Sequence, residues 1–531
     1  MRRLLWIPLF ILILAVSAVA KPFDYEKFTE YAQKTYADWG LNGLAFAIVE
    51  DGKITMIKPI GQRSVATQKP LTEESVFPIA SLSKAFSSLL MMKLEEEGKI
   101  NTSTPVVDIL PDFKLASDEA TKGMTLAGLF QHRSGLKSFA YDTLVESGWS
   151  EQEIYAVLNQ LNPVDPFNEK FEYQNIFPGL FGWIAEKITG ETLNDLFARE
   201  IFIPLGMTTA SIGENGTTTS ENWWRNLWAK IKIKFTDRVD QHYLKPSLSA
   251  HVIKGGNPAI YRFPTSRGIN ASILDMAKWL QFWINDGLTS QGKSLVSPDR
   301  LARLQEKLTH VGAPQGGRLF PKGRVTDIYY GMGWYIHDYD KLPTVVAHMG
   351  GMTGTRSLIA YVPDKKIGLV VLSNVGGMRV NLAPEALRSK FLDLVADVGE
   401  DRDWSQELKS DLLESRRHYD DQRAEYRLKN PLPARALDTY VGHYENKLYG
   451  KIEIALESRR LVLKYRNLSV SLTHWNGDNF SYIPSDFTPS YSVTDTPMGD
   501  IIFGGIKSGK AEVCVLSAFY EGVDSRFKRI G

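Results

Sequence analysis

The chain has 531 residues, 43% of them hydrophobic and 23% charged, with a formal net charge of +1 at pH 7. This is the composition of a globular protein long enough for two or three domains, and its balance gives no reason to expect a nucleic-acid partner. One cysteine, Cys514, excludes an internal disulfide. There is no Cys-x-x-Cys, His-x-His or His-Glu-x-x-His, no Gly-x-Ser-x-Gly and no phosphate-binding loop, so neither metal nor cofactor is expected.

Arg2 and Arg3 precede an uncharged run from Leu4 to Val16, then Ser17-Ala-Val-Ala20 before Lys21. That is the order of a secretory signal, expected over residues 1–20, and it points to a periplasmic or secreted protein. The alternative is an uncleaved anchor, since the apolar run is only slightly shorter than a membrane span. No cysteine follows, which closes the bacterial lipoprotein route.

A helical stretch from Phe23 to Trp39 leads to two β-rich runs, Gly43–Glu50 and Lys53–Lys58, joined by Asp51-Gly52, which read as a hairpin. Next comes Pro78-Ile-Ala-Ser81-Leu-Ser-Lys84. Proline and serine suit a helix opening, and the segment that follows is apolar almost all round, so it should lie deep in a core and stop at Gly98. Ser81 and Lys84, three apart, share a helix face, and a serine beside an amine is a plausible activated nucleophile. Ser-x-x-Lys also occurs at Ser134, Ser290 and Ser525, but only Ser81 opens a long buried helix.

Leu126 to Leu136 reads as a short helix capped by Gly135, with His132 a structural hydrogen-bonder beside the turn. Tyr173-Gln-Asn175 falls in a polar loop before a helix from Leu180 to Ile188. Between Glu214 and Pro246, Trp223, Trp224, Leu227, Trp228 and Ile231 recur at helical spacing among basic residues. The tract Trp223–Phe235 reads first as a helix packed on its own domain; it could also lie on a membrane surface or cover a cleft.

Asn270 to Leu280 is a capped helix, and Tyr329–His337, Thr344–His348, Arg356–Val362 and Ile367–Ser373 read as successive strands. Strands at both ends with helices between them suggest one antiparallel sheet, on which Leu382–Val398 lies as a helix. The charged, proline-marked stretch 399–433 reads as a linker, and residues 434–531 as a small barrel-like β domain.

Ser81-Leu-Ser-Lys84, Leu129-Phe-Gln-His132-Arg-Ser-Gly135-Leu136, Tyr173-Gln-Asn175, Pro204-Leu-Gly-Met207 and His348-Met-Gly350, in this order, resemble the serine β-lactamase and penicillin-binding-protein-like superfamily, in its class C β-lactamase, D-aminopeptidase and carboxylesterase branch. The resemblance spans most of Phe23 to Val398, and the tail is similar to a lipocalin-like domain that some members carry. It implies an α+β fold: an antiparallel sheet flanked by helices, an all-helical subdomain, and then a small all-β domain.

By that resemblance Ser81 attacks an acyl carbon, Lys84 takes or stabilises its proton, and Tyr173 acts as a base only if a cation such as Lys84 stabilises its phenolate. Asn175 orients Lys84 and the substrate amide. His348 and Gly350 line the strand on which substrate lies, and the amides of Ser81 and Gly351 form the oxyanion hole. The third motif departs from the Lys-Thr-Gly or Lys-Ser-Gly of many β-lactamases. A histidine, with an ordinary pKa near ~6.5, supplies no fixed charge for a substrate carboxylate. The expected partner is therefore a small molecule or peptide, peptidoglycan being one source: a D-amino-acid peptide, an amide or a small ester. The alternatives are a class C-like β-lactamase and, from another class, a peptide- or lipid-binding sensor on the same scaffold.

Overall fold

The computed structural model describes residues 22–214, 238–244, 250–252, 261–313, 319–321, 323–352, 354–376, 381–426, 429–466, 468–482, 499–517 and 524–531. The leader over 1–20 and the Trp223–Phe235 tract fall outside these residues. Among the described residues no helix is long and apolar enough to cross a membrane.

The first helix, α1, runs Tyr25–Asp38 and is capped by Asp24, whose carboxylate accepts from the Lys27 amide at 2.9 Å. It feeds the hairpin β1 (Gly43–Glu50) and β2 (Lys53–Ser64), turned by Asp51 and Gly52, both at positive φ (48° and 70°) as a tight two-residue turn requires. After β3 (Lys69–Pro70) the chain leaves the sheet and returns more than two hundred residues later. The returning strands are β4 (Thr309–Gly312), β5 (Ile328–Tyr330), β6 (Tyr335–Tyr339), β7 (Leu342–Met352), β8 (Thr355–Val362) and β9 (Ile367–Ser373).

The nine strands stand in the order β3-β2-β1-β9-β8-β7-β6-β5-β4, so both ends of the domain meet where β1 pairs antiparallel with β9. Alternation along β1 sorts the two faces. Leu44, Phe46 and Ile48 pack with α1 and with α5 (Ala383–Val395), whereas Ala45, Ala47 and Val49 face the helices α2 (Ser83–Glu96) and α4 (Ile273–Ile284). The sheet is thus buried on both faces, which is why β8 and β9 are buried at every position.

Several local expectations are corrected. Pro78 ends a short strand, Val76–Pro78, instead of opening the helix; a 3₁₀ turn at Ala80–Leu82 comes first and α2 begins at Ser83. The Leu126–Leu136 segment is helical only over the 3₁₀ turn Gly128–Phe130. The helix after Tyr173, α3, spans Ile176–Thr189 and starts immediately after Asn175, because Pro178 sits in its first turn where its missing N–H is harmless. The stretch Tyr329–His337 is a hairpin of two strands turning at Gly331–Trp334. Gly333 (φ 84°) lets that turn lie on α2: a Cβ there would come 2.8 Å from the backbone of Ala85.

The 399–433 stretch carries a 23-residue helix, α6 (Trp404–Tyr426), whose Trp404, Leu408 and Leu412 are buried against the sheet domain. Its mixed charges read as a linker because only this first half has an apolar stripe. Beyond it lie nine further strands, β10 (Gly442–Asn446), β11 (Gly450–Glu457), β12 (Arg460–Tyr465), β13 (Leu468–Ser471), β14 (Thr473–Asn476), β15 (Asn479–Tyr482), β16 (Gly499–Gly504), β17 (Val513–Leu516) and β18 (Arg526–Ile530). They form one antiparallel sheet that curls into a nearly closed barrel, with β13 and β14 as its two ends and only Leu472 between them. Tyr440, Tyr444, Phe480, Phe503 and Phe527 are buried in its core.

Gly333→Ala should destabilise the sheet domain by about 1–2 kcal/mol from the left-handed backbone alone, and more from the collision with Ala85. A denaturant melt measures this, and an unchanged midpoint would show that the turn can move off α2.

Candidate active site

The Ala80–Leu82 turn is held from three directions. Ser83 Oγ donates to Ala80 O (2.7 Å) and accepts from the Ile269 amide (3.0 Å). Thr355 Oγ1 and Ser357 Oγ, on β8, donate to the carbonyls of Pro78 (2.7 Å) and Ile79 (2.6 Å). Ala80 itself has φ 49°, an unfavourable value for a residue with a Cβ, so the turn persists because its surroundings fix it. Gly350 presses against the same turn. A Cβ there would lie 2.5 Å from Ile79 O and 3.1 Å from Ser81 N, so only glycine lets β7 approach the serine this closely.

Ser81 is followed one turn later by Lys84, fully buried, with Nζ 3.2 Å from Ser81 Oγ. Nζ also donates to Asn175 Oδ1 (2.7 Å) and to Ser266 O (3.1 Å). Burial drives the lysine well below its ordinary pKa; the Asp142 carboxylate opposes this and Arg267 adds to it. A neutral amine has two N–H groups and one lone pair. In that form both N–H groups go to oxygens that can only accept, and the lone pair is free for the Ser81 hydroxyl; in the ammonium form Nζ donates to Ser81 Oγ as well.

Tyr173 lies on the other side, its ring 4.8 Å from Lys84 Nζ. Burial pushes the phenol well above its ordinary value, as does Tyr335, while the nearby Ser81 hydroxyl and the charge of Arg267 pull the other way. Tyr173 is therefore a protonated phenol at rest, and of the two groups facing Ser81 it is the amine that can accept a proton. The Tyr173 backbone is pinned by Ser138, whose Oγ accepts from Tyr173 N (3.0 Å), and by His132, whose Nδ1 accepts from Gln174 N (3.1 Å). His132 is buried and held neutral, as a structural hydrogen-bonder would be.

The structure brings Ser81, Lys84, Tyr173, Asn175 and Gly350 together, and Gly351 follows on the same strand. The His348 side chain sits behind them. Its Nδ1 donates to Met349 O (2.8 Å), so Nε2 must accept from Tyr330 (3.0 Å), and burial pushes its pKa down to about 3. It is a neutral ring, 1% exposed, that contacts protein on both nitrogens. It supplies no cation at the third motif.

Sequence reasoning missed a second tier of residues. Asp142, 1% exposed, accepts from Asn175 Nδ2 (2.6 Å) and fixes which face of that amide meets Lys84, while Arg267 lies 4.0 Å from the same carboxylate oxygen. Ser266 adds its Oγ to Asn175 Oδ1 (3.2 Å). On the far side of β7, Arg356 donates to Gly350 O (3.3 Å) and pairs with the fully buried Glu385 of α5. None of these belongs to a spacing pattern. A buried-charge signal existed only for Arg356, the one charged residue of β8. Among the described residues no cluster of histidine, cysteine or carboxylate side chains is arranged to hold a metal ion.

A half-buried serine and tyrosine around the buried Lys84, at the junction of an antiparallel sheet and a helical subdomain, is the arrangement of the β-lactamase fold. The chain belongs to the beta-lactamase family, whose model matches residues 28–390. A second family, described as a domain of unknown function (DUF3471), matches residues 427–499. An unguisins hydrolase of Aspergillus violaceofuscus is 25% identical over 87% of this chain and 82% of its own length. Penicillin-binding protein 4 of Amycolatopsis lactamdurans is 23% identical over 70% of this chain and 91% of its own. In fold, an octameric penicillin-binding protein homologue from Pyrococcus abyssi superposes over 95% of this chain and 99% of its own, with a TM-score of 0.56 and 21% identity.

Lys84 binds no proton in the fold until the pH falls well below 10.5, whereas the unfolded lysine titrates near that value. The unfolded chain thus holds more protons in that window, and stability must rise with pH across it. Relative to Lys84→Met, the wild-type protein should gain unfolding free energy as the pH rises toward 10.5. A pH-independent difference between the two would mean the amine is charged in the fold.

Proposed function

We propose that this protein is a secreted or periplasmic serine hydrolase that works through a Ser81 acyl-enzyme on an amide or ester whose reacting end carries no free carboxylate. The observation that carries this reading is the position of Lys84 Nζ, 3.2 Å from Ser81 Oγ and held there by Asn175 Oδ1 and Ser266 O, in a site whose burial lowers the pKa of the amine and so favours the form that can take the serine's proton. Ser81 Oγ attacks the acyl carbon as its proton passes to Lys84 Nζ, giving a tetrahedral oxyanion that the amides of Ser81 and Gly351 would hold. The intermediate collapses with loss of the amine or alcohol. That group takes a proton from the Tyr173 hydroxyl, which Lys84 then restores. A water attacks the ester so formed, Lys84 accepts its proton, and Ser81 Oγ leaves with that proton.

The substrate class follows from the third motif. With His348 neutral and engaged by Tyr330, β7 offers backbone and no fixed charge, which disfavours a β-lactam or a free C-terminal D-Ala-D-Ala as the preferred substrate. A D-amino-acid peptide, an amide or a small ester fits better. One solved protein of this fold is described with D-Leu bound, and one relative is named a hydrolase. A purely binding role has less support, since Ser81, Lys84 and Tyr173 are all in mutual reach.

A fluorophosphonate should leave one mass adduct, on Ser81, that is lost in Ser81→Ala. Tyr173→Phe should slow turnover about 10²-fold or more. Neutral D-amino-acid amides and short esters should be hydrolysed faster than acyl-D-Ala-D-Ala or nitrocefin. An unlabelled Ser81 would sink the acyl-enzyme, and rapid nitrocefin turnover would make the protein a class C-like β-lactamase.

A further inference from the structure

The barrel touches the catalytic domain at one place with unusual chemistry. Trp149 Nε1, on a residue 6% exposed, donates to the Tyr465 hydroxyl at 2.7 Å, and that hydroxyl donates in turn to Tyr449 O (2.8 Å) inside the barrel. Beside it, Arg466 grips Glu153 through both carboxylate oxygens (2.7 and 3.1 Å), its guanidinium 4.4 Å from the Trp149 ring. An exposed ion pair alone contributes little. A bidentate pair stacked on tryptophan beside a buried hydrogen bond fixes geometry as well as energy.

What is fixed there leads by two routes to Lys84. Along the chain, Trp149 closes the segment that begins at Asp142, with Trp149 N bonded to Leu144 O (3.0 Å), and Asp142 is the group that orients Asn175. Across space, Trp149 O accepts from Arg262 (2.7 Å) and Glu151 from the Phe263 amide (2.8 Å). Phe263 has φ 59°, a strained value for an aromatic residue, and so needs such partners. It opens the short helix Pro264–Arg267, which delivers Ser266 to Lys84 and Asn175 and places Arg267 beside Asp142.

We propose that the C-terminal barrel is a positioning element for the catalytic lysine: through Tyr465 and Arg466 it clamps the Trp149–Glu153 segment, and with it the Asp142–Asn175 and Ser266 contacts that hold Lys84 against Ser81. This rests on the acyl-enzyme reading above and assigns a role to the domain of unknown function. Tyr465 and Arg466 are positioning residues; neither meets the substrate.

The test uses the full chain and the rate of fluorophosphonate labelling of Ser81 as a function of pH, for wild type, Tyr465→Phe, Trp149→Phe, the double variant and Arg466→Ala. Loosening the clamp should slow labelling on the order of tenfold. The acid limb of the profile should move to higher pH, because a less tightly held amine admits water and gains a proton more readily. Trp149→Phe and Tyr465→Phe share one bond, so the double variant should be slower by clearly less than the product of the two single effects. Arg466→Ala, at a partly exposed position, keeps the test open if the buried variants fail to fold. Variants that melt earlier yet label at the wild-type rate with an unmoved acid limb would overturn the clamp and leave the barrel a stabiliser only. Failure of the wild type to label would instead remove the acyl-enzyme reading on which the clamp rests.

Discussion

The site depends on keeping one amine dry and correctly turned. An ammonium buried as deeply as Lys84 would be expensive without a close counter-charge. The carboxylate of Asp142 acts on it from a distance, its hydrogen bond going to Asn175, which stands between the two. The arrangement therefore favours the neutral form, and the direction of each remaining hydrogen bond follows from it. Three elements that are remote in sequence must agree for this to hold: the start of α2, the residue before α3 and the Pro264–Arg267 helix. Each contributes one bond to the same nitrogen or to its partner.

The large sheet supplies the other half of the geometry. Because β1 pairs with β9, the Ser81 turn, which follows the N-terminal strands, faces the C-terminal ones, and Thr355 and Ser357 can hold it by its carbonyls. Behind β7 the buried Arg356–Glu385 pair ties the Gly350 carbonyl to α5. Such pairs contribute more to a defined position than to net stability. A position is what the amides of a catalytic strand need.

Much of this was legible in the sequence, for identifiable reasons. The hairpin at Asp51-Gly52, the apolar runs Leu358–Val362 of β8 and Ile367–Leu372 of β9 and the order of Ser81-x-x-Lys84, Tyr173-x-Asn175 and His348-x-Gly350 carry local signals that survive folding. The boundaries that moved did so where tertiary contact overrides propensity. Pro78 is paired with Asn270 in a three-stranded sheet, and the turn at Gly331–Trp334 exists because Ala85 lies against Gly333. Asp142, Ser266 and Arg267 had no pattern to betray them, since their role is set by contacts across the fold. His348 could be read as uncharged; that Tyr330 occupies it could not.

The two ends of the barrel's sheet are neighbours in the chain, separated by Leu472, whose amide reaches back to Leu461 O at 2.8 Å. An open sheet can capture an extended segment from another molecule by adding it as an extra strand. Among the described residues the two rims of this sheet are four residues long and adjoin across a single residue, so each offers only a short row of unpaired amides to an added strand.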